Sequence, residues 1–331
     1  MASPPLVDAF GRVAKDLRVS VTDRCNFRCV YCMPAEGLDW LPRDEVLRFE
    51  EMARLVDILV RLGVETVRVT GGEPLVRASV EDLVGRIHAA HPMVDLSMTT
   101  NGFRLAEKAP LLAAAGLARV NVSLDSLQPE RFHAMTRRDA MHRVVEGLRA
   151  ASDAGLRPVK INAVMVRGVN DDEAVDFATL AREHDYHVRF IEYMPLDAGH
   201  EWTQAQVVPS AELVASIEAR YPLKPRQETG PEPATRYDFA DGAPGSVGFI
   251  SSVSEPFCGS CDRLRITADG HFRTCLFALD EHDLKGPLRA GASDGELEEI
   301  IRGAVAAKWA GHRIGAADFA APARSMSQIG G

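Results

Sequence analysis

Short apolar or alternating segments, each followed by a longer segment of helical periodicity, recur along residues 17–194. LRVSVT at 17–22 alternates like a strand, whereas apolar residues in 44–63 recur at helical spacing up to Gly63, which suits a helix end. The predicted strands are 17–22, 66–72, 95–102, 119–125, 158–166 and 187–194, and the predicted helices are 44–63, 79–90, 105–115, 141–154 and 171–184. This alternation predicts six βα units that form a parallel sheet with crossover helices.

Six βα units are compatible with an open doubly wound sheet or with an incomplete barrel. Polar and glycine residues recur where the predicted strands end, which is where parallel α/β folds place their sites. These residues are Thr70, Gly71, Gly72, Thr99, Thr100, Asn101, Ser123, Asp125, Asn162 and Glu192. We therefore expect an α/β fold with an incomplete (βα)6 TIM-like barrel, and we expect these residues to line one mouth of it.

Residues 196–257 interrupt the pattern, because they are rich in proline around one helical stretch at 210–221. Beyond them, residues 262–277 alternate about Asp269-Gly270, which predicts a β-hairpin. We expect three parts: the partial barrel at 1–195, a linker and the start of a smaller C-terminal domain at 196–257, and a cluster-binding C-terminal region at 258–331.

The composition limits the size and the partners of the protein. A chain of 331 residues that is 46% hydrophobic can bury one large core and one small one. A net charge of −9, with no long basic run, argues against nucleic-acid binding. No run of eighteen apolar residues is present, and Asp8 and Arg12 stand where a signal peptide needs its apolar centre. We expect a cytoplasmic protein without a membrane partner.

The six cysteines form two groups: the front triplet of Cys25, Cys29 and Cys32, and the back triplet of Cys258, Cys261 and Cys275. Disulfides rarely persist in the cytosol, so metal binding is the simpler interpretation. A four-iron cluster ordinarily takes four thiolates, so three would leave one iron open to a ligand. The alternative is zinc, completed in front by His88 or another distant group and at the back by His271 or His282.

Two motifs near the front triplet resemble those of the radical S-adenosylmethionine superfamily. CNFRCVYCMP at 25–34 resembles its cluster motif, and VTGGEPLVR at 69–77 resembles its glycine-rich cofactor motif. The resemblance spans residues 13–195. It implies a partial (βα)6 barrel and a [4Fe-4S] cluster whose open iron binds S-adenosylmethionine. It also implies cleavage of that cofactor to a 5′-deoxyadenosyl radical.

The back triplet narrows the resemblance. CGSCDRLRITADGHFRTCLF at 258–277 and the final SQIGG are similar to the C-terminal signature of the GTP 3′,8-cyclase family, which performs the first step of molybdenum cofactor biosynthesis. This implies a lyase with a second [4Fe-4S] cluster, whose open iron contacts the guanine of GTP. It also implies a homodimer, an electron donor of unknown identity and, downstream, cyclic pyranopterin monophosphate synthase.

A bound triphosphate needs cations. Arg263 and Arg265 are two residues apart on the predicted hairpin and should face the same side, and guanidinium groups suit phosphate oxygens. By resemblance, GTP also contacts Arg18, Arg68, Thr99, Lys160 and Leu264. The alternative for each strand cation is an ordinary ion pair with a neighbour such as Glu65 or Asp95.

The resemblance implies two further sets of residues. S-adenosylmethionine contacts Tyr31, Gly72, Ser123 and Met194; only Gly72 has an independent reason, since glycine permits close backbone approach. Gly330 and Gly331 reach into the active site and support catalysis together with Arg263 and Arg265.

Two other functions remain to be tested. One is a different radical enzyme, such as a peptide maturase with auxiliary clusters in its C-terminal extension. The other is a binding or sensor protein that uses both triplets structurally, with zinc in place of iron. Neither explains the arginines.

Overall fold

The computed structural model describes residues 4–197, 199–227 and 231–331. The helices are α1 (Phe49–Arg61), α2 (Val80–Ala90), α3 (Leu105–Ala114), α4 (Pro129–Thr136), α5 (Met141–Asp153), α6 (Ala174–His184), α7 (Ser210–Glu218), α8 (Lys285–Arg289), α9 (Asp294–Ala306) and α10 (Met326–Ile329). The strands are β1 (Asp16–Ser20), β2 (Thr66–Thr70), β3 (Asp95–Thr100), β4 (Arg119–Ser123), β5 (Lys160–Met165), β6 (His187–Glu192), β7 (Leu223–Pro225), β8 (Thr235–Phe239), β9 (Ser246–Ile250), β10 (Arg263–Ile266), β11 (His271–Arg273) and β12 (His282–Asp283).

Strands β1 to β6 lie side by side and parallel, each followed by at least one helix, which confirms the six predicted βα units. The parallel sheet continues beyond them in both directions. β10 pairs parallel with β1, and β9 pairs parallel with β6. Antiparallel strands complete the two edges, with β11 and β12 outside β10 and with β8 and β7 outside β9. The predicted hairpin is present, because β10 and β11 are antiparallel and Gly270 in their turn has a φ of +82°.

The two faces of the sheet have different chemistry. In β1, Leu17 and Val19 are fully buried in the main hydrophobic core, whereas Asp16 and Arg18 alternate with them and lie on the opposite face. Helix α1 contributes Met52 and Leu55, one helical turn apart, to the same core. The outer face of the sheet is therefore covered by helices, and the inner face is left to polar side chains.

Some predicted boundaries differ from the observed ones. The first helix begins at Phe49 rather than at 44, because the backbone N–H of Leu47 donates to Ala268 and that of Arg48 to Glu51. Helices α4, α8, α9 and α10 were not predicted.

The segment predicted as a linker, 196–257, contains α7 and the strands β7, β8 and β9. Because β9 pairs with β6, this segment belongs to the same sheet as residues 1–195. The division of the chain into domains stays a prediction. None of the helices in the described residues has the length and apolar character needed to cross a membrane.

Candidate active site

One cavity of about 620 Å³ follows the inner face of the sheet, and all six cysteines line it. The front triplet follows β1, whereas Cys258 and Cys261 precede β10, the parallel neighbour of β1. The two triplets therefore lie near opposite ends of this strand pair. Each of the six cysteines, all of them in the described part of the chain, is a free thiol and partly accessible.

The loop that follows β2 packs directly against the loop that carries the front triplet. The N–H of Gly72 donates to the Thr22 carbonyl at 2.7 Å, and that of Glu73 donates to the Arg24 carbonyl at 2.8 Å. A Cβ atom on Gly72 would lie 2.4 Å from the Asp23 carbonyl oxygen, which is far too close. A glycine is needed at position 72 because the two backbones are in contact. The close backbone approach expected of Gly72 is therefore made to the loop that carries the front triplet.

Two buried carboxylates support this end of the cavity. Glu73 accepts hydrogen bonds from the Thr100 hydroxyl at 2.7 Å and from the Asn101 N–H at 2.6 Å, and burial raises its pKa to about 7. Asp125 accepts from the Tyr31 hydroxyl at 2.6 Å, and burial raises its pKa to about 6. This hydrogen bond to Asp125 fixes the side chain of Tyr31, which lies between Cys29 and Cys32 in the sequence.

Cationic side chains line the cavity between the two triplets. We call them the cation row; its members are Arg18, Arg68, Arg119, Lys160, Arg189, Arg263 and Arg265. Arg18 lies between Arg68 and Arg265 in strand register, so three like charges are adjacent on one face. Burial and then the neighbouring Arg263 lower the pKa of Arg265 to about 10, and burial and then Arg189 lower the pKa of Lys160 to about 7.

The row has few acidic partners. Arg119 pairs with Asp95, as the ion-pair alternative expects, but Glu65 pairs with Lys15. Among the described residues, several buried polar atoms that border the cavity have no hydrogen-bond partner: Arg18 Nε, Arg189 Nε, Arg263 Nε, Asp16 Oδ1, Thr70 Oγ1 and Asn162 Oδ1. Unsatisfied buried groups are costly, so the three guanidinium Nε–H donors suit an anionic part of a ligand, and the carboxylate and amide oxygens suit donor groups of the same ligand.

Two buried cations hold the backbone of the back triplet in place. Arg12 donates to the carbonyl oxygens of Cys258 at 2.6 Å and Ala310 at 2.8 Å. Lys308 donates to the carbonyl oxygen of Cys261 at 2.9 Å. Arg12 is itself held by a buried ion pair with Asp8 at 2.6 Å, so both cations orient the backbone of the loop that carries Cys258 and Cys261.

The C-terminal tail, residues 325–331, enters the same cavity. The Gly330 carbonyl accepts a hydrogen bond of 2.6 Å from Arg265, and a Cβ on Gly330 would lie 2.8 Å from that of Ser20. Burial raises the pKa of the Cys32 thiol to about 11, and hydrogen bonds from Ser327 limit that rise. The tail thus reaches from the hairpin arginine to the front triplet.

Most residues that the sequence singled out line the cavity: the six cysteines, Tyr31, Gly72, Ser123, Met194, Arg18, Arg68, Thr99, Lys160, Arg263, Arg265 and Gly331. Leu264 differs, because its side chain alternates with those of Arg263 and Arg265 and lies in the core. Any contact of Leu264 with a ligand is therefore left to its backbone. Glu192 does not line the mouth either; its carboxylate accepts hydrogen bonds from the N–H groups of Val253 and Ser254.

The histidines named for the zinc alternative lie elsewhere. His271 pairs with Asp269 on the hairpin, and His88 packs against Gly116. His282 belongs to the edge strand β12. Within the part of the chain that the structure describes, His312 is the histidine that borders the cavity.

Sequence reasoning missed Arg119, Arg189 and Glu73 in the cavity, and Arg12 and Lys308 behind the back triplet. A signal for the first two exists: Arg119 and Arg189 alternate with apolar residues on β4 and β6, as Arg18 does on β1. No local pattern marks Arg12, because its carbonyl partners are more than 240 residues away in the chain.

Comparisons with known proteins show which family the chain belongs to. Residues 19–181 match the family model for the Radical SAM superfamily, and residues 186–314 match that for Molybdenum Cofactor Synthesis C. The GTP 3′,8-cyclase of Streptomyces coelicolor is 51% identical over 98% of this chain and 96% of its own length. The chain belongs to the GTP 3′,8-cyclase family.

Other members of the GTP 3′,8-cyclase family are similarly close. That of Mycolicibacterium smegmatis is 49% identical over the whole of this chain and 93% of its own length. The family membership confirms the enzyme class, the radical S-adenosylmethionine chemistry with its [4Fe-4S] clusters, and the place in molybdenum cofactor synthesis that the motifs predicted.

Solved structures of lower identity support the fold alone. SuiB of Streptococcus suis, in a structure bound to S-adenosylmethionine, has a TM-score of 0.59 at 15% identity and covers 87% of this chain and 68% of its own. A structure of anSMEcpe with bound AdoMet has a TM-score of 0.56 at 15% identity, covering 79% and 71% of the two chains. The predicted fold class, a partial barrel of the radical S-adenosylmethionine type, is confirmed.

Proposed function

We propose that the cavity converts GTP to (8S)-3′,8-cyclo-7,8-dihydroguanosine 5′-triphosphate. The observation that carries this proposal is the cation row, which lies between two cysteine triplets in one cavity and has few acidic partners. A triphosphate carries several negative charges and many acceptor oxygens. These can neutralise the buried guanidinium groups on neighbouring strands and accept their hydrogen bonds.

The donor set fits two iron-sulfur clusters. The front triplet would hold one cluster and the back triplet the other, each with three thiolates and one open iron. Burial raises the pKa of Cys25 to about 12, so a thiolate there needs a cationic partner such as iron. When bound, the front cluster and S-adenosylmethionine supply the radical chemistry, and the back cluster supplies a contact for the guanine.

The side chains of this protein bind and orient the substrate. Arg18, Arg68 and Lys160, with Arg265, neutralise the triphosphate along the inner face of the sheet. Tyr31, Gly72, Ser123 and Met194 surround S-adenosylmethionine near the front triplet, where the Tyr31 to Asp125 hydrogen bond keeps the loop in position. The ribose of GTP would then occupy the part of the cavity between the front and back triplets.

The overall conversion is an isomerisation of GTP. The hydrogen atom of ribose C3′ would leave as part of 5′-deoxyadenosine, and a bond would form between C3′ and guanine C8. One electron from the external donor and one proton would then complete a product with the composition of GTP. The contact of Gly330 with Arg265, and its closeness to Ser20 and Thr70, support a role for the tail in excluding water and in placing Arg265.

The test is an anaerobic turnover assay. The reconstituted protein is incubated with GTP, S-adenosylmethionine and dithionite, and products are followed by mass spectrometry, with ATP as the alternative substrate and with cofactor omitted as the control. We expect 5′-deoxyadenosine together with a GTP-isomeric cyclised product. Formation of 5′-deoxyadenosine with unchanged GTP, in protein that carries both clusters, would contradict the proposed substrate.

The remaining expectations are proposals of the same kind. We place the enzyme in the cytoplasm, as a homodimer that receives electrons from a donor of unknown identity. Its product would pass to cyclic pyranopterin monophosphate synthase. The acidic net charge of −9 supports the absence of a nucleic-acid partner.

A further inference from the structure

Arg324 joins the segment that leads into the tail to the hairpin formed by β10 and β11. Its guanidinium donates to both oxygens of Asp269, at 3.1 and 2.8 Å, and to Glu281 at 3.0 Å. Asp269 lies in the turn of that hairpin. One side chain therefore bonds two carboxylates in a bidentate and a single contact.

This cluster of charges is largely buried. The side chains of Arg324, Asp269 and Glu281 are 22%, 10% and 17% exposed. Glu281 also pairs with Arg273, whose side chain is 2% exposed. Burial favours the neutral form of Asp269, but hydrogen bonds from His271, Arg324 and Thr267 hold its pKa well below the usual range. Arg324 is thus bound to a carboxylate, that of Asp269, which stays ionised.

The hairpin of β10 and β11 forms hydrogen bonds at both ends of the tail. Arg324 stands directly before Ser325, which caps α10 through the side chain of Gln328. Four helical residues later, the carbonyl of Gly330 meets Arg265 of β10. A short capped turn between two fixed points leaves the tail little freedom, because the charge cluster sets where that turn begins.

We propose that Arg324 is a positioning residue for the cyclase reaction, and that its ion pairs with Asp269 and Glu281 hold Gly330 and Gly331 in the cavity. This inference rests on the role proposed above for the two glycines. Arg324 acts through the tail and touches neither substrate nor clusters. Its loss should lower the fraction of molecules in which the tail is docked, without emptying the GTP site.

The test compares Arg324→Gln with Arg313→Gln in the reconstituted full-length protein. Arg313 is a matched control, because it pairs with Asp318 in the same C-terminal region while the two side chains are 65% and 56% exposed. Hydrogen exchange of the backbone amides in 326–331 reports docking directly. We expect exchange to be about tenfold faster or more in Arg324→Gln, and unchanged in Arg313→Gln.

The kinetic readout separates positioning from a general structural effect. We expect kcat to fall about tenfold or more in Arg324→Gln while KM for GTP stays within about twofold. Arg324→Lys keeps the charge but loses the bidentate geometry, so its exchange and kcat should lie between those of wild type and Arg324→Gln. Iron content and melting temperature verify that each variant is folded.

Three results would overturn the account. Unchanged amide exchange in 326–331 of Arg324→Gln would refute the positioning role. Loss of iron or a large fall in melting temperature in both Arg324 variants would show a structural role instead. Faster exchange with undiminished kcat would leave Arg324 as the anchor of the tail and refute the catalytic role proposed for the tail itself.

Discussion

At the scale of single residues, the cavity is defined by cations that crowd one another. Arg18 is flanked in register by Arg68 and Arg265, although like charges on neighbouring strands destabilise a sheet. Burial and the neighbouring arginines also lower the pKa of Arg18 well below its ordinary value. A polyanionic ligand would relieve this crowding, and for that reason we propose that these arginines bind the triphosphate of GTP.

The first prediction concerns Lys160. Its pKa is about 7 in the ligand-free cavity, because burial and then Arg189 favour the neutral form. A bound triphosphate favours the charged form, so binding takes up a proton above pH 7. Between pH 7 and 9 we expect GTP affinity to fall by up to about tenfold per pH unit.

The control for this prediction is Lys160→Arg, which keeps its charge throughout that pH range. Calorimetry of GTP binding to the reconstituted protein, in buffers of different ionisation enthalpy, measures both affinity and proton uptake. If GTP affinity falls equally with pH in the two proteins, protonation of Lys160 is not coupled to GTP binding.

The second prediction separates the two terminal glycines. Gly330 has a φ of +91°, and a Cβ there would lie 2.8 Å from the Ser20 Cβ and 3.0 Å from Thr70 Oγ1. At Gly331 the nearest atoms belong to Met326, at an ordinary 3.4 Å. Gly330→Ala should lower kcat about tenfold or more, since strain and overlap oppose docking, whereas Gly331→Ala should change it much less. Equal kcat values for the two variants would contradict the docked position of the tail.

At the scale of elements, the site depends on how the loops after β1 and β2 fit together. The strands β1 to β6 were predicted within a few residues, because their period-two alternation is a local signal. β7, β8 and β9 were not predicted, since β7 has three residues, β8 fully buries only Phe239, and β9 is buried at every position and shows no alternation. For Leu264, the local alternation is more informative than the motif. The motif assigned this residue to the substrate, whereas the alternation on β10 places its side chain in the core.

The third prediction concerns the contact between those two loops. A methyl group in Gly72→Ala would overlap the carbonyl oxygens of Asp23 and Arg24, which are backbone atoms and cannot turn aside. We expect this variant to lose iron from the front triplet while the back triplet keeps its own.

The matched control is Gly85→Ala, in α2, where a Cβ would meet nothing within 4 Å. It should keep both clusters and gain up to about 1 kcal/mol of stability, because alanine favours the helix. Iron analysis and thermal unfolding measure cluster content and stability in both variants. A full iron content in Gly72→Ala would contradict the close contact between the two loops.

At the scale of the whole molecule, one sheet brings the two triplets into a common cavity. β10, the first strand of the hairpin beside the back triplet, pairs with β1 at one side of the six predicted strands. β9 pairs with β6 at the other side. The motifs could predict both triplets and much of the cation row. They could not predict this pairing, because it joins residues far apart in the chain and leaves no periodic trace in either segment. Arg12 and Lys308 escaped prediction for the same reason.

The most direct test of the account replaces each triplet in turn, as Cys25→Ala with Cys29→Ala and Cys32→Ala, or as Cys258→Ala with Cys261→Ala and Cys275→Ala. Iron, 5′-deoxyadenosine and cyclised GTP are then measured after anaerobic reconstitution. We predict about eight irons in wild type and about four in each variant. The variant without the back triplet should still form 5′-deoxyadenosine but no cyclised product, and the variant without the front triplet should form neither. Cyclised GTP from protein that lacks the back triplet, or zinc in place of iron, would contradict the account.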